Sequence, residues 1–126
     1  NMFLSYLNFT EHNPSFLNQV FRLFEEYISE NADAVYNQTL KKIILKKLQT
    51  QPTIFWNQML SWLYVQQGDY KKALQQEKAI YRRNLTSLQG LLDLGLMAKS
   101  AKAYAVTGEA YEYIINNSQI SDSECT

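Results

Sequence analysis

Apolar residues recur at intervals of three and four along most of this chain, and short polar breaks divide the runs. That period lines one face of an α-helix with apolar side chains. Residues 2–10 carry Met2, Phe3, Tyr6, Leu7 and Phe9, which predicts a short apolar helix. Asn13-Pro14 then reads as a start signal. Asn accepts hydrogen bonds from a first helical turn, and Pro has no N–H to leave unsatisfied there. The helix it predicts covers residues 14–30, with a broad stripe of Phe16, Leu17, Val20, Phe21, Leu23, Phe24, Tyr27 and Ile28. A polar break at residues 31–33 precedes a third helix, to about residue 50, carrying Val35, Tyr36, Leu40, Ile43, Ile44, Leu45 and Leu48. Pro52 ends it, because the residue before a proline is pushed out of helical geometry. Thr53 is placed to cap the next helix. Four more helices are predicted over residues 54–67, 69–83, 88–100 and 103–117, and residues 119–126 form a polar tail. Gly68 marks the end of one helix and Asp69 the start of the next.

The last four helices share a frame. Leu60 returns as Leu94, Ser61 as Gly95, Tyr70 as Tyr104, Ala73 as Thr107 and Ile80 as Ile114, each 34 residues later. A weaker match runs the other way, from Tyr70 to Tyr36 and from Ala73 to Thr39. Its first helix has Glu26 and Tyr27 where the frame wants a large apolar and a small residue.

On these positions, residues 55–84 and 89–118 resemble tetratricopeptide repeats. The Leu-small pair of that family is Leu60-Ser61 and then Leu94-Gly95. The aromatic three positions on is Tyr64, replaced by Ala98 in the second copy. The small residue that lets the helices approach is Ala73, then Thr107. Asn57 stands where a large apolar residue is usual, and Glu77 where the second copy has the aromatic Tyr111. The wording of the repeats also resembles that of large multi-repeat proteins of Bacteroidetes bacteria. The resemblance implies an all-α, right-handed superhelix of antiparallel helical hairpins, about seven helices in all, over residues 1–118. It implies a concave surface made by the first helix of each hairpin, suited to a protein or an extended peptide segment. The positions it maps there are Phe55, Gln58, Trp62, Val65 and Gln66, then Gln89, Leu92, Leu96, Lys99 and Ser100. Trp62 matters most, since exposed aromatics dominate binding surfaces. The bland alternative is that Trp62 packs under a neighbouring helix. Family members that clamp a terminal carboxylate use Lys and Asn at such positions; this chain has mostly Gln and apolar groups, so no clamp is expected.

Composition narrows the chemistry. The chain of 126 residues is 46% hydrophobic and holds only four Gly and two Pro, enough apolar surface for one helical domain. Twelve basic residues balance twelve acidic ones, which argues against nucleic acid as the partner. The pairs Lys41-Lys42, Lys46-Lys47, Lys71-Lys72 and Arg82-Arg83 are read as solvated faces, because neighbours on a helix diverge by about 100°. No apolar run approaches the roughly 20 residues that span a bilayer, and no basic leader precedes Met2. Asn1 before the first Met is read as the mark of an internal fragment of a longer chain or as a leftover tag residue.

His12 is the only histidine and Cys125 the only cysteine. Without HExxH, CxxC, a Gly-rich phosphate loop or GxSxG, no catalysis, metal or cofactor is expected. Glu25-Glu26 are adjacent and diverge on a helix, so acid–base work is not assigned to them. Four Asn-x-Ser/Thr triplets, at Asn8, Asn37, Asn84 and Asn116, match a pattern that is common by chance. The expected function is non-catalytic protein–protein interaction. Two alternatives remain: self-association through Phe3, Tyr6 and Leu7 of the first helix, and a small-ligand or glycan site on Trp56 or Trp62.

Overall fold

Seven α-helices and one 3-10 turn make up the described residues of the computed structural model, with no strand among them. Backbone is described for residues 2–125 and side chains for residues 2–118. The helices fall into two compact units, Asn1–Asp69 and Tyr70–Thr126.

The first unit holds α1 (Met2–His12), α2 (Leu17–Phe24), α3 (Val35–Thr50) and α4 (Ile54–Gln66). Its core is unusually aromatic. The Phe3 ring meets Phe24 edge-on at 4.9 Å, and it meets Tyr27 and Tyr36 edge-on at 6.1 and 6.0 Å. Tyr27 and Tyr36 close the group at 5.5 Å. Edge-to-face contact brings the positive rim of one ring to the negative face of the next. Leu7, Val20, Leu40, Ile44, Met59 and Leu60 are buried around these rings. Across the turn at residues 51–53, α3 packs on α4. Lys41 Nζ lies 5.7 Å from the centre of the Tyr64 ring and Lys47 Nζ lies 5.8 Å from that of Trp56, so the two helices run antiparallel.

Two local expectations need correcting. The segment predicted as one helix over residues 14–30 is a 3-10 turn at Pro14–Phe16 followed by a short α2 that ends at Phe24. Glu26 and Tyr27 donate to Leu23 and Phe24 in tight turn bonds, and the chain leaves the helix. The buried Asn37 explains why. Its Oδ1 accepts from Ser29 N–H at 3.0 Å, and its Nδ2 donates to Ser29 C=O at 2.6 Å. One side-chain amide thus takes both backbone groups of Ser29, replacing the helical partners they would otherwise need. The second correction concerns caps. Neither Asn13 nor Thr53 makes a side-chain cap bond; Asn13 Nδ2 instead donates to the Phe9 carbonyl at 2.8 Å.

The second unit holds α5 (Tyr70–Arg83), α6 (Gln89–Ser100) and α7 (Tyr104–Cys125). The pair α6 and α7 forms a tight hairpin. A Cβ at Gly95 would stand 2.9 Å from the Tyr111 ring and 3.4 Å from Ala110 Cβ, so only glycine allows this approach. Thr107 Oγ1 lies 3.3 Å from Gly95 O and 3.2 Å from Ala103 O, and one hydroxyl proton serves the two carbonyls. Leu91, Leu94, Ala98 and Ala110 are buried in the seam. On the other side, Lys78 of α5 pairs with Glu109 at 2.9 Å and lies 5.1 Å from the centre of the Tyr113 ring of α7. The polar tail expected at residues 119–126 lies outside the described side chains, and the backbone of α7 runs through it to Cys125.

The 34-residue frame is present in the backbone itself. At the end of α4, Gly68 N–H donates to Val65 O at 3.0 Å and Asp69 N–H to Tyr64 O at 2.9 Å. At the end of α6, Lys102 N–H donates to Lys99 O at 3.0 Å and Ala103 N–H to Ala98 O at 2.8 Å. Each residue of one set is 34 positions from its counterpart in the other. Both sets are the paired bonds of a Schellman ending, which needs a left-handed residue just past the helix. Gly68 supplies it at φ 74°, and Lys102 adopts it at φ 65°. A lysine there crowds its Cβ against its own backbone, a cost that glycine avoids. The frame does not reach back to the first unit's turn, where Ala34 has φ −59°.

A direct test substitutes each of the two residues. Lys102→Gly is expected to raise stability by about 0.5–1 kcal/mol, and Gly68→Ala to lower it by about 1 kcal/mol. Urea unfolding followed by circular dichroism measures both. Equal stability of Lys102→Gly and the parent would mean that Lys102 carries no backbone strain.

Candidate interaction surfaces on α4 and α6

The two sets of mapped positions lie on different helices of different units, and each forms a stripe of its own. On α4, Phe55, Gln58, Trp62 and Gln66 recur at three- and four-residue steps, with Val65 beside them; all five are half-buried. On α6, Gln89, Leu92, Leu96 and Lys99 do the same, with Ser100 beside them, and all five are exposed. The difference follows from what each helix meets.

Trp62 of α4 is engaged inside its own unit. Its ring stacks on Phe21 of α2 at 5.0 Å with only 5° between the planes, and it meets Phe24 edge-on at 6.4 Å. One face of the indole is therefore occupied, and the residue acts first as a pack between helices. Phe55 lies edge-on to Trp56 at 4.8 Å. Trp56 is fully buried, so it offers no ring to a glycan. Its Nε1–H donates to Glu11 Oε2 at 2.8 Å, tying the end of α1 to the start of α4. A buried indole needs such an acceptor, because an unpaired N–H in the core is costly.

The outward stripe of α6 is different in kind. Leu92, Leu96 and Met97 are 39, 48 and 42% exposed. Leu96 and Met97 border an open hollow of about 500 Å³ together with Tyr70, Ser100 and Ala101. Gln89 Nε2 donates to Asp93 Oδ1 at 2.8 Å, one turn along the helix. Met97 was not expected here. In the 34-residue frame it corresponds to Leu63, which is fully buried, so the frame predicts the opposite of what Met97 does. Its one sequence signal is adjacency to Leu96. A smaller hollow of about 280 Å³ lies at the other end of the unit and has a polar lining that includes Tyr81, Thr86, Ser87 and Asn117.

The contacts expected for self-association also need correcting. Phe3 and Leu7 are core residues, 2% and 0% exposed, because α1 turns that side inward to meet Phe24. Tyr6 is exposed, and Phe9 and Phe16 beside it touch each other at 5.3 Å. Among the basic pairs, the ring contacts of Lys41 and Lys47 use one member each. His12 is exposed, with Nδ1 3.0 Å from the Asn8 carbonyl, and Glu25 and Glu26 are exposed on the turn after α2. Among the described residues no group of three or more His, Cys, Asp or Glu is arranged to hold a metal ion. No described helix is long and apolar enough to cross a membrane. Asn37 is fully buried, which closes that triplet to glycosylation in the folded chain.

The Tyr64 phenol is displaced from its ordinary ionisation. Burial pushes the Tyr64 phenol above its ordinary value, and the nearby negative charge of Asp69 adds to the shift. A phenol with a raised pKa holds its proton more tightly in the folded chain. The stability it lends is therefore whole below the ordinary phenol value of about 10 and is lost as pH rises through the folded value.

No family model, curated protein or solved structure matches this chain.

Two measurements check these assignments. In a double-mutant cycle, Trp62→Ala is expected to cost about 2 kcal/mol, below the core range because the ring is half-exposed, with a coupling to Phe21→Ala of about 1 kcal/mol. Coupling near zero would mean that the stacked pair carries no energy. The phenolate absorbance titration of the parent minus that of Tyr64→Phe is expected to have a midpoint above 10. A difference curve centred at or below the ordinary value would remove the claim.

Proposed function

We propose that this chain is a non-catalytic protein–protein interaction module built from tetratricopeptide-like helical repeats. It takes a protein or an extended peptide segment on the outward face of α6. The observation that carries the reading is the exposure of Leu92, Leu96 and Met97 on one helix, beside an open hollow. Burying an exposed Leu or Met side chain is worth about 1.5–3 kcal/mol at full burial, so three such groups make a face with a strong tendency to be covered. The backbone beneath is held by the Gly95 approach and the Thr107 hydroxyl, which suits a surface that binds without rearranging. The recurrence of the Schellman ending at 34 residues supports the repeat reading, since a repeat family needs the same turn at each period. The α4 stripe adds Phe55, Gln58, Trp62 and Gln66 as a second surface of its own unit, with one indole face already engaged. The absence of a catalytic motif in the sequence points the same way.

The test is a photo-crosslinking amino acid at position 96, compared with the same group at the exposed Gln75 of α5. Crosslinks to polypeptide are expected from position 96 and not from position 75, whatever the identity of the polypeptide. No adduct at 96, or equal adducts at both, would remove α6 as the docking face.

A further inference from the structure

The chain passes from α5 to α6 through an unbroken run of exposed residues, Arg82 to Ser87. Leu85 is 69% exposed. From Leu85 to Leu88 no backbone N–H donates to a backbone carbonyl among the described residues. The end of α5 is closed by one shared bond, from Asn84 N–H to Ile80 O at 3.1 Å and to Tyr81 O at 3.2 Å. Opening this connection and the last turn of α5 therefore breaks few backbone bonds and uncovers little apolar surface. Such segments open far more often than packed helices do, and they are the preferred places for proteolytic nicking.

The basic pair lies at the edge of this open run. Arg82 and Arg83 are the last residues of α5. The other three pairs are placed differently. Lys41-Lys42 and Lys46-Lys47 lie within α3, and Lys71-Lys72 run straight into Ala73 and Leu74, which are fully buried. Lys102 is exposed, but it is fixed at φ 65° in a turn that the Ala103 N–H to Ala98 O bond closes at 2.8 Å. The irregular chain at residues 25–34 contains neither Lys nor Arg. In the helix the two guanidinium groups diverge by about 100°. Once the last turn is drawn out, neighbouring side chains alternate to opposite sides, as in a strand. Two adjacent cationic side chains then reach two adjacent acidic subsites.

We propose that the bond between Arg83 and Asn84 is a proteolytic processing site. It takes an endopeptidase that reads paired basic residues through carboxylates in its specificity pockets. Water adds across the peptide bond: the C–N bond breaks, the Arg83 carbonyl carbon gains the hydroxyl and the Asn84 nitrogen gains the proton. The cut falls between α5 and α6, so Gly95 and Thr107 stay on one fragment with the seam they form. The proposal is independent of what docks on α6.

The experiment is limited digestion of the folded whole chain, with the cut sites read from the masses of the fragments. An endopeptidase specific for paired basic residues is expected to cut after Arg83, giving fragments 1–83 and 84–126, and to spare the three lysine pairs. Trypsin, which needs a single basic residue, is expected to make its first cut at the same connection. Arg82→Gln is expected to stop the pair-specific enzyme and to leave the tryptic cut after Arg83 in place. The double variant Arg82→Gln with Arg83→Gln is expected to prolong the life of the intact chain in trypsin by about tenfold or more. A parent chain left whole by the pair-specific enzyme overturns the proposal. So does a first tryptic cut after Lys102 or inside α3, and so does a double variant that trypsin consumes as fast as the parent.

Discussion

The last carbonyls of a helix must find donors, and in this chain one arrangement of two backbone bonds does that work at the ends of both α4 and α6. It demands a residue with φ near +65°, and everything local follows from that demand. At the end of α6 the turn returns the chain at once, so α7 begins at Tyr104 and must lie close. Closeness then dictates Gly95, where a side chain would strike Tyr111, and a small buried residue at 107. Thr107 adds a hydroxyl that serves the Gly95 and Ala103 carbonyls in the seam. Turn, glycine and threonine form one constraint, and the outward face of α6 is what remains for other uses.

The first unit solves a different problem. Its α2 is short and is followed by irregular chain, so it cannot rely on regular backbone pairing between α2 and α3. Rings fill the volume instead, and polar side chains close the accounts. Asn37 satisfies Ser29, and Glu11 satisfies the indole of Trp56. No buried side-chain nitrogen or oxygen among the described residues lacks a partner. That is how an aromatic core with several polar edges remains compatible with burial.

Much of the fold was legible because periodicity and breakers are local signals. Gly68, Pro52 and the three-four spacing place α3 to α6 and the start of α7 within a few residues of where they lie, whereas the polar composition after residue 117 hides the continuation of the α7 backbone to Cys125. The pairs Leu60 and Leu94, Ser61 and Gly95, and Ala73 and Thr107 are buried in both copies, as a shared frame requires. What failed was set by contacts between distant residues. The apolar stripe through Tyr27 and Ile28 gives no hint that Asn37 will draw Ser29 out of a helix. Phe3 and Leu7 read as an exposed cap because their partners lie on other helices. Met97 departs from Leu63 for the same reason: a frame transmits geometry, and burial depends on what arrives opposite. Of the mapped surface, the α6 residues are open and the α4 residues half-covered, a distinction that identical spacing cannot express.

The pairing of Asn37 with Ser29 has a chemical consequence beyond folding. The two contacts need one donor and one acceptor on the same planar group. Hydrolysis of that amide to a carboxylate would keep its shape and size but turn the donor into a second acceptor, facing the Ser29 carbonyl. The site thus discriminates between two groups that differ by an NH₂ and an oxygen. Burial shields the amide from the water that hydrolysis needs, so the fold protects the side chain that holds its irregular segment.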